Sequence, residues 1–320
     1  MSTNAASRVS SGPLLWVNML IVWFVWGSTY IGILFATESI PPFLAMGTRF
    51  LVAAAIMVLI TGATRGWRVL RVTRRELASA LFMGVALLAV GLGTVGLAKD
   101  YVPTGVMALI IAATPLTIVI WRVITGDRPG RYTLVGVAVG LVGIGWMLLP
   151  GGTTPVSGSD GDVVCWSLMV LISSSIWATT SFFSVRLPKP RDSFALTTYE
   201  LLSGGLALML VSVAIREPID LAAITGRSWG GWLYLVIFGS VIAFSSFTWL
   251  INHAPISLAS TYAYVNPAVA VVLGVALYSE TITSDVVIGL TVVLGGVVLV
   301  VSGESLRVKR LRPVPETEVT

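Results

Sequence analysis

The feature that most constrains this chain is a series of apolar stretches, each about 20 residues long, that recurs from one end to the other. A helix rises about 1.5 Å per residue, so a stretch of this length spans the hydrocarbon core of a bilayer. Barrel strands would be about half as long and would alternate in polarity. Since only helices and closed barrels satisfy their backbone inside a membrane, the pattern predicts an all-α integral membrane protein.

Ten transmembrane helices are predicted, separated by short segments that contain proline, glycine and charged residues. The predicted spans cover residues 14–35, 43–62, 77–98, 104–124, 132–149, 162–184, 194–215, 229–251, 256–278 and 286–302. Only 11% of the residues are charged, against about a quarter in soluble domains. We therefore expect no separate soluble domain, only an N-terminal tail (1–13) and a C-terminal tail (304–320), both without regular structure.

The basic residues are distributed unequally between the two predicted sides of the membrane. If the N-terminus is cytoplasmic, sixteen of the twenty lysines and arginines fall in cytoplasmic segments and three in outer segments, while Arg49 lies within a span. Basic residues favour the cytoplasmic side, so both termini are predicted to be cytoplasmic. The pI of about 9.6 then reflects membrane topology, and we expect no nucleic-acid partner.

The two halves of the chain resemble each other. At an offset of 151 residues Trp26 matches Trp177 and Arg49 matches Glu200, and later pairs follow at offsets of 152 and 153. We predict two five-helix repeats, residues 14–150 and 162–303. Because each repeat has an odd number of helices, the second copy would be inverted, as in transporters that bind substrate where the repeats meet.

Motifs in the same order along nearly the whole chain carry a family resemblance. They are Trp26-Gly27-Ser28-Thr29-Tyr30, Pro41-Pro42, Thr48-Arg49-Phe50, Val102-Pro103-Thr104-Gly105, Ala113-Thr114-Pro115-Leu116, Ser260-Thr261-Tyr262-Ala263-Tyr264-Val265-Asn266-Pro267 and Ser279-Glu280-Thr281. In these motifs the chain resembles the EamA family of the drug/metabolite transporter superfamily, in particular its YedA-like bacterial members. The resemblance implies ten helices in two inverted repeats, a cell-membrane location and export of small metabolites or drugs. It names no substrate.

Four residues are candidates for coupling or gating. Arg49 and Glu200 are charged residues inside predicted spans, where charge is costly and is a functional candidate by default. Glu200 is a candidate for proton coupling, with snorkelling toward the cytoplasmic interface or a structural hydrogen bond as the alternatives. Arg49 could instead anchor its helix by pairing with carbonyl groups or with the outer rim, for example with Asp100. Pro115 and Pro267 interrupt matching helices and could act as hinges or be tolerated kinks.

Aromatic and hydroxyl side chains within four spans are candidates for substrate binding. Trp23, Trp26 and Tyr30 share one face of the first predicted helix. The other candidates, from the sixth, eighth and ninth spans, are Trp177, Thr180, Ser181, Ser245, Trp249, Tyr262, Tyr264 and Asn266. The alternative is that these side chains serve helix packing.

The sequence predicts a secondary transporter that exports small organic metabolites, such as amino acids or aromatic and amphipathic compounds, by alternating access. A facilitator or channel without ion coupling is the main alternative, and a membrane-embedded enzyme is the weaker one. One cysteine, one histidine and no Walker A motif give no basis for a metal site, a cofactor or ATP use. The expected partners are a small-molecule substrate and the lipid bilayer, and a homodimer is left open.

Overall fold

All regular structure is helical in the described part of the chain. The computed structural model describes residues 13–112, 114–127, 130–147, 155–254, 259, 262–278 and 283–311. Its helices are α1 (Pro13–Ala36), α2 (Pro42–Arg65), α3 (Arg74–Ala98), α4 (Val106–Ile124), α5 (Arg131–Met147), α6 (Asp160–Arg186), α7 (Ser193–Ala214), α8 (Gly226–His253), α9 (Tyr262–Tyr278) and α10 (Ser284–Leu311).

Seven of these helices, α1 to α4 and α6 to α8, are long and apolar enough to cross a membrane. Apolar stretches of α5, α9 and α10 are shorter in the described residues. Large apolar side chains such as Leu59, Val142 and Leu210 are exposed on outer faces, as expected where lipid is the solvent. The predicted all-α membrane architecture is confirmed at this level.

The end of the chain differs from the prediction. A tail without regular structure was expected from residue 304, but α10 continues to Leu311. The added residues are mostly Glu, Leu, Arg and Lys, which have high helix propensity and extend a helix beyond its apolar part. Hydropathy shows where the apolar part of the helix ends, whereas the helix itself continues beyond that point.

Polar side chains fix where several helices begin. The Thr73 hydroxyl accepts the backbone N–H of Glu76 while the Glu76 carboxylate accepts that of Thr73, and Ser159 and Asp162 form the same capping box at α6. Asp192 caps α7 by accepting the N–H groups of the next helical turn. These caps satisfy backbone donors that the first turn of a helix leaves free.

The start of α2 is capped from the other half of the chain. The Glu217 carboxylate, just after α7, accepts the backbone N–H groups of Phe43 (3.0 Å) and Leu44 (2.8 Å). The Ser212 hydroxyl donates to the same carboxylate at 2.7 Å. A carboxylate at a helix N-terminus also meets the positive end of the helix dipole. This contact joins the start of α2 to the loop after α7.

Helix packing follows one pattern in both halves. α2 packs on α7, α4 on α9 and α5 on α10. The contacts of α1 with α8 and α9 are matched by contacts of α6 with α3 and α4. Exchanging each helix for the one five positions away therefore leaves the set of major contacts unchanged.

Glycines of α5 and α10 meet in reciprocal pairs. A Cβ atom added at Gly143 would lie 3.0 Å from the Gly289 carbonyl oxygen, and one added at Gly296 would lie 2.6 Å from that of Gly136. Gly143 and Gly296 are matching residues of the two halves, as are Gly136 and Gly289. The small-residue strip thus lets these two helices of the same chain approach closely.

Three helices contain π-helical segments at mid-length. They are Ile21–Val25 in α1, Val85–Leu92 in α3 and Leu235–Phe244 in α8. A π-helical turn changes the i→i+4 hydrogen-bond register and often occurs at functional sites. The segment Val85–Leu92 supplies Gly91 and Leu92 to the wall of the cavity described next. None of the three segments was predicted from the sequence.

Candidate functional site: an aromatic cavity between the two halves

Trp26 lies at the centre of a buried aromatic cluster. Its ring centroid is 4.8 Å from that of Phe247, 5.2 Å from Tyr262 and 5.6 Å from Trp177. Phe244 joins the cluster at 6.4 Å from Trp26. These distances are within the range in which aromatic pairs add to the energy of simple burial. The cluster joins α1, α6, α8 and α9 in the middle of the helix assembly.

A cavity of about 50 Å³ adjoins this cluster. Both halves of the chain line it, with the residues Trp26, Thr29, Tyr30, Ile33, Arg49, Gly91, Leu92, Val95, Ile111, Thr114, Ser174, Trp177, Tyr262 and Asn266. A cavity of this size holds a few water molecules, whereas drug-sized ligands occupy at least about 300 Å³. In this conformation the cavity is therefore too small for a drug-sized ligand.

Arg49 is the charged residue of the cavity wall, and its side chain is only 2% exposed. Its Nε donates to the Ser240 hydroxyl (3.2 Å), and its Nη1 approaches the Met46 sulfur (3.3 Å). The guanidinium carbon also lies 4.4 Å from the centre of the Phe50 ring. No carboxylate pairs with Arg49 within the described residues. Asp100, the suggested partner, instead forms an ion pair with Lys99.

Asn266 links the cavity wall to the π-helical segment of α1. With its carboxamide oriented to donate, the side-chain nitrogen lies 2.8 Å from the Trp23 carbonyl oxygen and 3.3 Å from that of Val22. Both carbonyl groups belong to the segment Ile21–Val25. The asparagine therefore satisfies backbone acceptors inside the membrane region, where a lone polar group would be costly.

Glu200 is equally buried, at 1% exposed, but it does not line the cavity. Thr248 of α8 places its hydroxyl 3.4 Å from the Glu200 carboxylate. Burial lowers the pKa of Lys189, in the loop before α7, and the nearby negative charge of Glu200 acts in the opposite direction. The carboxylate thus has a hydroxyl neighbour and a cation within electrostatic range, on the loop that leads into its own helix.

The predicted site residues fall into two sets. The cavity wall brings together Arg49 and five substrate-binding candidates: Trp26, Tyr30, Trp177, Tyr262 and Asn266. Pro115 follows the lining residue Thr114, and Pro267 is buried inside α9 next to Asn266. These contacts connect the predicted hinge positions to the cavity.

The other candidates lie away from this cavity. Trp23 packs edge-on against Trp16, Thr180 lines a lateral groove between α3 and α6, and Ser181 is buried without a hydrogen-bond partner among the described residues. Ser245 points to the Met57 sulfur, and Trp249 stacks on His253. The side chain of Tyr264 is outside the described residues. The polar face of α8 is therefore not the face that meets the cavity.

The sequence analysis missed Phe244 and Phe247, which are the contribution of α8 to the aromatic cluster. They are spaced i, i+3, the same helical-face pattern that identified Trp23, Trp26 and Tyr30, so the signal was present. The sequence-based expectation placed the hydroxyl residue Ser245 of α8 at the cavity instead. Thr29 and Thr114 were part of the family motifs but were not predicted as site residues, and Ser174 carried no signal.

The fold and the site define an integral membrane protein of the transporter class. Membrane-length helices enclose a small, aromatic cavity that both halves of the chain line, with one arginine among the described residues of its wall. Residues 14–149 and 164–302 match the EamA-like transporter family, so the chain belongs to this family. The predicted family resemblance is confirmed.

Relatives of the chain are described as transporters. It is 36% identical over 290 residues to the inner membrane transporter YedA of Escherichia coli K12, described as uncharacterized, with 90% of each chain covered. It is 23% identical to the transporter YoaV of Bacillus subtilis, over 88% of this chain and 94% of that one. A solved crystal structure has the same fold, with a TM-score of 0.65 at 21% identity, and covers 93% of this chain and 98% of that one.

Proposed function

We propose that this protein is a secondary transporter that exports small organic metabolites across the cytoplasmic membrane by alternating access. The observation that carries the proposal is the central cavity, because helices of both halves line it and its walls are aromatic. A site where two repeats meet can open to either side when one repeat moves against the other. Amino acids, aromatic metabolites and amphipathic compounds suit such walls.

The proposed architecture is ten membrane crossings in two inverted five-helix repeats, with both termini in the cytoplasm. The reciprocal glycine pairs of α5 and α10 and the matched helix contacts support a two-fold relation between the halves. The uneven distribution of basic residues supports the orientation. An odd number of crossings in each repeat makes the relation an inverted one.

Contacts at the ends of the helices supply the proposed gates. On the outer side Glu217 caps α2, and the Ser39 hydroxyl donates to that of Ser228 at 2.8 Å. On the cytoplasmic side Asn252 donates to the Ser193 hydroxyl at 3.1 Å. The two outer contacts join the second half to the first, and the cytoplasmic contact joins α8 to α7. Each consists of one or two hydrogen bonds. Such contacts are weak enough to break and re-form during a transport cycle.

Glu200 is the proposed coupling residue. A carboxylate inside a membrane protein is costly to keep ionised, so a proton taken from one side and released to the other is a direct use for it. Its position in α7, which packs on α2 and α3, would let a change of protonation alter the contact between the two halves. Facilitated diffusion without coupling is the alternative function.

The test is uptake into reconstituted vesicles of a mixed pool of amino acids and amphipathic compounds, with and without a pH gradient. We expect the wild type to accumulate at least one solute. We expect Trp26→Phe, which reshapes the centre of the cluster, to reduce uptake at least several-fold. Trp16→Phe is the matched control, because Trp16 is on the same helix and 54% exposed. No uptake of any solute by the folded wild type would contradict the transporter proposal.

A further inference from the structure

Arg49 presents a buried guanidinium to the cavity and has more hydrogen-bond donors than partners. We propose that Arg49 binds the carboxylate of the transported molecule, so that the substrates are organic monocarboxylates, zwitterions included. This inference rests on the proposed transport function and specifies its substrate class. It differs from a gating or anchoring role, because it places Arg49 in direct contact with the cargo.

Arg49 has more N–H donors than the strong acceptors near it among the described residues. A guanidinium has five N–H donors, arranged as a planar fork. Within the described residues, Nε is used by Ser240 and one Nη1 donor points to the Met46 sulfur, which is a weak acceptor. Several donors therefore have no strong acceptor, although the side chain is almost completely buried.

The surroundings of Arg49 keep space at the fork. Gly239 of α8 is adjacent, and a Cβ added there would lie 3.7 Å from Nη2. Glycine at this position and the π-helical segment Leu235–Phe244 let the guanidinium lie between α2 and α8 with one edge on the cavity. Glu200, the matching charged residue of the second half, is on α7 and outside the cavity wall.

Charge then selects the ligand. A buried cation without a carboxylate partner is destabilising, and an anionic ligand removes that cost by supplying charge-assisted hydrogen bonds, often two at once with arginine. One arginine in the wall compensates one negative charge, which favours a monocarboxylate over a polyphosphate. A ligand with only an ammonium group would be repelled.

The remaining wall selects the body of the ligand. Trp26, Trp177 and Tyr262 contribute an aromatic surface to the wall of the same cavity. Flat or apolar groups pack well on such surfaces. The site therefore fits a molecule with one carboxylate and an aromatic or amphipathic remainder. The cavity in this conformation is smaller than such a molecule, so the cavity widens when the molecule binds.

The experiment measures binding of three probes of the same shape to the purified full-length protein in nanodiscs. The probes are 3-phenylpropanoate, 3-phenylpropanamide and 3-phenylpropylammonium, which are anionic, neutral and cationic. We expect the wild type to bind the carboxylate about 10- to 100-fold more tightly than the amide, as for a charge-assisted pair. We expect Arg49→Gln to lose that preference and Arg49→Lys to keep part of it. Arg75→Gln, which changes an exposed arginine at the start of α3, should bind as the wild type does.

The outcomes separate this inference from the proposed function. Equal binding of carboxylate and amide by the wild type overturns the inference, as does tighter binding of the cation or no binding of the carboxylate. Retained preference in folded Arg49→Gln overturns it as well, because Arg49 would then only hold α2 against α8. Any of these results can occur while the vesicle assay still shows transport, in which case the proposed function stands with another substrate class. If Arg49→Gln fails to fold, the inference is tested by two other measurements. The wild type must prefer the carboxylate over the amide, and Arg49→Lys must show a smaller preference.

Discussion

Arg49 and Glu200 occupy matching positions in the two halves and are buried to the same extent, yet their surroundings differ. Arg49 borders a void and has glycine and a serine hydroxyl beside it. Glu200 is enclosed by helix packing, since Gly84 of α3 lies against its backbone and Thr248 meets its carboxylate. One position holds a charge that faces the cavity, and the other holds a charge covered by protein.

The difference shows how a duplicated fold can give matching positions separate tasks. A charge at a cavity is available to a ligand, whereas a covered charge responds mainly to protons and to movement of the helices around it. The proposed roles place the contact with the substrate charge in the first half and energy coupling in the second. The following predictions test that division, in order of decreasing effect.

The largest effect is expected from Gly84→Ala. Its Cβ would overlap the Ser203 hydroxyl and also the carbonyl oxygen and Cα of Glu200, which are backbone atoms and cannot yield easily. We expect a loss of stability of at least about 1–3 kcal/mol, seen as a lower melting temperature and a lower yield of folded protein. Gly239→Ala, beside Arg49, is the matched control. Its nearest contact is 3.1 Å, from a Thr29 methyl group, and a helix gains from alanine, so its melting temperature should change little. Equal destabilisation would show that the two regions are packed alike.

The second prediction compares Glu200→Gln with Arg49→Gln in vesicles. We expect Glu200→Gln to retain substrate binding and exchange but to lose accumulation driven by a pH gradient. We expect Arg49→Gln to lose binding and transport together, by about 10-fold or more. Both are measured as uptake with and without the gradient, with Asp160→Asn as a surface carboxylate control. If both variants lost the same activity, the division between recognition and coupling would be wrong, and unchanged accumulation in Glu200→Gln would favour facilitated diffusion.

The smallest effect is expected from Lys189→Met. Burial already lowers the pKa of this lysine, and its charge, when present, favours the ionised form of Glu200. Removing the cation should make protonation of the carboxylate easier, so the pH profile of gradient-driven uptake moves to higher pH. Because Lys189 is partly solvated, we expect a shift below about one pH unit. The measurement is initial uptake rate against pH, and a shift to lower pH would show that Glu200 and Lys189 do not interact as described.

The sequence predicted the helical membrane architecture and much of the cavity wall. Trp26, Tyr30, Trp177, Tyr262 and Asn266 were candidates because aromatic and polar residues are unusual at mid-membrane depth. The aromatic partners from α8 were not predicted, because helical periodicity gives the faces of one helix without saying which face meets the cavity. Thr180, Ser181 and Ser245 lie away from the cavity because of the rotation of their helices, which packing against neighbouring helices sets.

The sequence by itself determined that the chain lies in a membrane, that it is helical and which family it belongs to. The length of the apolar stretches and the order of the motifs can be read along the chain without knowing which helices touch. It also paired Arg49 with Glu200 as equivalent positions. Only the tertiary structure decided that Arg49 borders the cavity while Glu200 is covered, and that Trp26 meets Trp177. The physical reason is that these facts depend on how close two helices can approach. Glycines such as Gly84 set that approach, because their missing side chains admit neighbours that are far away in the chain.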